Sequence, residues 1–200
     1  MSNKKLYLSY FLIIAIIVAF VIFGIVSMFS TENIKGSVTQ YTCDVKNLRF
    51  ATTININCNG TEIGEVKGNV LSLVTDPLTM YNPAGDKIAY AGDAYHFIAQ
   101  DTHGIYVNDS FTVDMVGQVE FFGEEYEIYD ANECLVASVD FNSFNTAGQM
   151  YDKNGTLIAT YSSNYFLKDF TVQISDQCDL DHYTVLMIMC SYYSDQAYDN

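Results

Sequence analysis

Tryptophan is absent from this 200-residue chain, proline occurs twice and arginine once, at Arg49. With only Pro77 and Pro83, almost every backbone amide remains able to donate, so regular elements run unobstructed. Basic side chains are scarce as well. All 24 acidic residues and seven of the nine basic ones lie beyond Thr31, which gives that part a formal charge of −17. Binding nucleic acid requires clustered Lys and Arg to replace counterions on phosphates, so nucleic acid is excluded as a partner. The same field disfavours docking on anionic lipid headgroups.

Catalytic and cofactor signatures are missing too. No Gly-x-Ser-x-Gly elbow, phosphate loop or dinucleotide fingerprint occurs, so no cofactor is indicated. The five cysteines, Cys43, Cys58, Cys134, Cys178 and Cys190, contain no Cys-x-x-Cys pair, and neither a zinc site nor a disulfide framework is signalled. They read as free thiols, with a Cys43–Cys58 bridge across a hairpin as the competing reading for an extracellular domain. Of the three histidines, His96 and His103 are seven residues apart rather than the four that would place two zinc ligands on one helix face, and His182 stands alone. Glu124 with Glu127 is the nearest approach to a hydrolytic carboxylate pair, against the plainer reading of solvated surface charge. No catalytic, cofactor-binding or metal residue is assigned.

What the chain does have is one long apolar run, Leu6 to Phe29. As a helix it would reach about 36 Å, enough to cross a hydrocarbon core of about 30 Å with some tilt. A cleaved signal peptide would be shorter and end in an Ala-x-Ala pattern, which is lacking here. The run therefore predicts a transmembrane helix over 6–29, after a tail at 1–5 and before a linker at 30–37. Lys4 and Lys5 before the run favour a cytoplasmic amino terminus and an external domain, in a single-pass protein of the cell membrane. Lys46 and Arg49 beyond it weigh the other way.

The remaining residues are rich in Tyr, Phe, Val, Ile and Thr, as strands are. Three segments share one pattern: Met80-Tyr81-Asn82 to Ile88-Ala89, Ile128-Tyr129-Asp130 to Val136-Ala137, and Met150-Tyr151-Asp152 to Ile158-Ala159. Each reads as strand, tight turn, strand. Asn or Asp after the tyrosine starts the turn through its side chain, and Gly85 or Gly155 supplies the positive φ that closes it. Glu133 stands in that place in the middle copy, which predicts a strained or lengthened turn. Asn59-Gly60 marks a further hairpin, and Phe170-Thr171-Val172-Gln173-Ile174 alternates as a half-buried strand. Asn59, Asn108 and Asn154 also head Asn-x-Ser/Thr sequons.

The end of the chain changes character. Cys178-Asp179-Leu180-Asp181 offers an amino-terminal cap, and His182 to Tyr193 reads as about three helical turns. Val185 to Cys190 has no polar face, so such a helix must be buried on all sides, and inside a curled sheet is the place for it. A continuous buried strand is the competing reading. Residues 195–200 are expected to form a loose tail.

The repeated hairpins, Lys168-Asp169-Phe170-Thr171-Val172, and the acidic lead-in from Asp176 to Asp181 before a terminal apolar helix resemble the LURP-one-related family, over about Val66 to Asp195. That family is grouped with the Tubby carboxy-terminal domains and the phospholipid scramblases. The resemblance implies a mainly β fold, a closed antiparallel barrel of about twelve strands over 38–194 around a buried carboxy-terminal helix at about 182–193. The amino-terminal span departs from the simplest cytosolic members of that family, and run and likeness together give the reading of a membrane-anchored, non-enzymatic binding or scaffold module whose protein or lipid ligand is unknown. The alternative it carries is scramblase-like contact with or transfer of phospholipid, and a hydrolase using surface carboxylates is the remote third. Tubby domains hold phosphoinositides through basic residues, which this chain lacks beyond Arg49 and scattered lysines. A scramblase-like calcium site would draw on Asp176, Asp179 and Asp181, which helix capping equally explains.

Overall fold

The alternating apolar and polar residues of the chain fold into a wall of strands, and the computed structural model describes residues 33–48, 51–69, 77–93, 102–118, 124–142, 146–163 and 169–198. These comprise β1 (Val38–Leu48), β2 (Ala51–Cys58), β3 (Thr61–Asn69), β4 (Leu78–Tyr81), β5 (Lys87–Asp93), β6 (Thr102–Val107), β7 (Ser110–Gln118), β8 (Glu124–Tyr129), β9 (Leu135–Phe141), β10 (Ala147–Asp152), β11 (Leu157–Ser163), β12 (Asp169–Ser175) and α1 (His182–Tyr198). The run from Leu6 to Phe29 lies outside the described residues. Among those described, no helix is long and apolar enough to cross a membrane.

Each strand pairs antiparallel with the next, and β12 pairs with β1, from Val38 opposite Ser175 to Asp44 opposite Asp169. The result is a closed up-and-down barrel without edges, which removes the exposed ladder that an open sheet of this size would present. Alternation decides which side chains point inward. Phe170, Val172 and Ile174 of β12 are buried, whereas Thr171 and Gln173 between them are only half-buried.

Five hairpins, β2–β3, β4–β5, β6–β7, β8–β9 and β10–β11, turn at the same end of the barrel and share one irregularity. The register slips by one residue between Ile56 and Asn57, Met80 and Tyr81, Ile105 and Tyr106, Ile128 and Tyr129, and Met150 and Tyr151. The extra residue on the returning strand is Ile63, Ile88, Thr112, Val136 or Ile158. Four of the five are apolar, and Ile63, Ile88 and Val136 pack against the core from this rim while Ile158 lies within it. Such bulges increase local twist and help a sheet close.

The turns follow the expected chemistry. Asn82 Oδ1 accepts hydrogen bonds from the amides of Ala84 and Asp86, Asp130 Oδ1 from Asn132 and Cys134, and Asp152 Oδ1 from Asn154 and Thr156, all at 2.8–3.0 Å. Gly85, Glu133 and Gly155 occupy the same left-handed position, at φ of 90°, 59° and 78°. The middle turn is therefore strained and keeps its length, because Asp130 makes the same two contacts as its counterparts.

α1 runs through the barrel, packed against β4 to β7 and β12. Val185 to Cys190 are fully buried, as are Tyr192 and Tyr193 to within 1%. Burying each of the side chains from Val185 to Met189 contributes about 1.5–3 kcal/mol, which explains a helix without a polar face. The competing strand reading is thereby settled in favour of the helix. Its length is a correction. The helix continues to Tyr198, so residues 195–198 are helical rather than a loose tail, and Gln196 is buried.

Candidate functional site

The core helix occupies the interior, and side-chain hydrogen bonds tie it to the wall at both mouths. At the mouth where the five hairpins turn, β12 ends at Ser175 and the Asp176 amide donates to Ser37 O. Five residues later Asp181 Oδ1 accepts the Tyr183 amide at 2.8 Å, which caps the helix where its first amides have no partners in the helix. A 2.6 Å hydrogen bond joins Tyr41 Oη of β1 to His182 Nδ1, and the rings meet edge to face at 5.8 Å. Burial, reinforced by Cys58, Tyr183 and Asp181 nearby, pushes the Tyr41 hydroxyl up to about 12.

At the opposite mouth Gln196 Nε2 donates to Glu124 Oε1 at 2.7 Å, and Tyr126 Oη donates to Glu124 Oε2 at 3.0 Å. Below this pair lies a cluster of rings. Phe141 stacks on Tyr192 with centroids 3.3 Å apart, Phe170 stacks on Tyr193 at 5.1 Å, and Tyr126 and Tyr161 meet Tyr192 edge-on at 6.1 and 5.8 Å. Gly148 on β10 makes room for this, since the Phe141 ring occupies the space a Cβ there would take. Burial raises both the Tyr161 and the Tyr192 hydroxyls.

The residues singled out from the sequence are not brought together. Glu124 and Glu127 are three apart on β8, an odd offset that puts them on opposite faces of the wall. Glu124 faces the interior with Tyr126, whereas Glu127 lies outside, accepting from Tyr129 Oη and Gln118 Nε2, both at 2.7 Å. They are not a hydrolytic pair. Asp181 is a helix cap, and no group of three or more metal-ligating side chains forms among the described residues, so Asp176, Asp179 and Asp181 do not converge. His103 lies on β6 and His182 on α1. His96 lies outside the described residues.

All five thiols are free. The register sets Tyr41, not Cys43, opposite Cys58, so the two cysteines are offset along the hairpin rather than bridged. Cys43 and Cys190 are buried in the core, and burial holds both thiols protonated, Cys190 with its value at about 12. Burial also raises Cys178. These shifts oppose thiolate formation, so burial turns these three sulfurs into packing groups. The sequon residues Asn59, Asn108 and Asn154 are all exposed in turns at the hairpin end.

Sequence reasoning missed two hydrogen bonds that tie the helix to the wall, Tyr41 to His182 and Glu124 to Gln196. They link residues 141 and 72 positions apart, and no local pattern signals either. No family model matches the sequence, and no curated protein matches it.

Proposed function

We propose that this chain is a membrane-anchored LURP-one-related, Tubby-like barrel module that binds or scaffolds a partner and carries out no chemistry of its own. The observation that carries the reading is the closed barrel of twelve antiparallel strands threaded by an apolar carboxy-terminal helix. This is the architecture the resemblance implies. The interior is occupied by the chain's own helix, so the outer wall and the two rims are the surfaces offered to a ligand. Anchoring rests on the apolar run from Leu6 to Phe29, with the domain external.

Two measurements test the proposal. The full chain should remain in the membrane pellet after a carbonate wash, and release into the supernatant would remove the anchor. The domain from Ser30 to Asn200 should fail to co-sediment with phosphoinositide-containing vesicles at physiological salt, because the −17 balance repels them. Micromolar binding that weakens as salt rises would replace the protein-binding reading with lipid handling.

A further inference from the structure

We draw no further inference here: the strongest candidate, the band of aromatic rings that Tyr90, Tyr106 and Phe111 form on the outer wall across β5 to β7, is accounted for by the directly paired Gly92 and Gly104 that the two tyrosines cover, and nothing in the structure shows what would lie against it.

Discussion

Glu133 occupies a backbone position that its two counterparts fill with glycine. At φ 59° its Cβ crowds the following carbonyl, at a cost of about 1–2 kcal/mol that Gly85 and Gly155 avoid. Glu133→Gly should therefore raise the melting temperature by a few degrees in a thermal melt, and Gly155→Glu should lower it by a similar amount. An unchanged melt in both variants would mean that the turn relaxes around the side chain.

The same three turns contain a built-in titration control. The Asp152 carboxyl is held below its ordinary value of 3.8, chiefly by the Thr156 amide, and the Asp130 carboxyl likewise by Cys134 and Asn132. Asn82 makes the equivalent contacts with an amide that does not titrate. A depressed carboxylate contributes stability that is present above its unfolded value and lost as pH falls through the folded one. Replacing both aspartates with asparagine should keep the turns, lower the melting temperature slightly at pH 7 where the carboxylates contribute, and flatten the acid limb below about pH 4. If wild type and variant fall in parallel on acidification, these turns do not contribute to acid unfolding.

Among the elements, hairpins were legible wherever their chemistry is local. The Tyr-Asp/Asn-x-x-Gly signals located β4–β5 and β10–β11, and they located β8–β9 despite Glu133. The β6–β7 turn was less visible, because Asn108 and Asp109 adopt φ of 51° and 58° without glycine. The bulges were missed because an extra apolar residue, such as Ile88 between Lys87 and Ala89, reads as ordinary strand. The opposite faces of Glu124 and Glu127 follow from parity alone and could have been read from their spacing.

The end of α1 escaped for a different reason. Ser194 to Tyr198 look polar, and hydropathy does not register that Glu124 waits on the wall to receive Gln196. Deleting residues 195–200 should therefore lower the melting temperature, where a loose tail would leave it untouched. Gln196→Ala alone should destabilise by about 1–3 kcal/mol, since the charged acceptor on β8 loses a partner. Glu124→Gln in that background should restore part of the loss if the uncompensated charge is the cause.

At the scale of the whole molecule, wall and core depend on each other. β1 and β12 meet although Val38 and Ser175 lie at opposite ends of the domain sequence, and no local signal encodes that pairing. The number of short strands implied a sheet that curls or closes on itself, and the family likeness implied a closed barrel. A closed wall has no edge from which to fray, and its inner face, with Ile54, Ile56, Met80, Met115, Ile128 and Val139 fully buried, has nothing to pack against once the helix is gone. A truncation after Asp181 should thus abolish cooperative unfolding altogether, even though every strand is retained. Met187→Asp should do the same, because a carboxylate at a fully buried site costs at least several kcal/mol, comparable with the stability of a typical domain. Far-UV dichroism and dispersed amide resonances would report the outcome. Met187→Leu separates burial from chemistry, since it nearly conserves volume and should cost less than about 1.5 kcal/mol. If the truncated chain melted cooperatively at the wild-type temperature, the helix would be packing outside the wall, and both the filled barrel and the resemblance built on it would have to be given up.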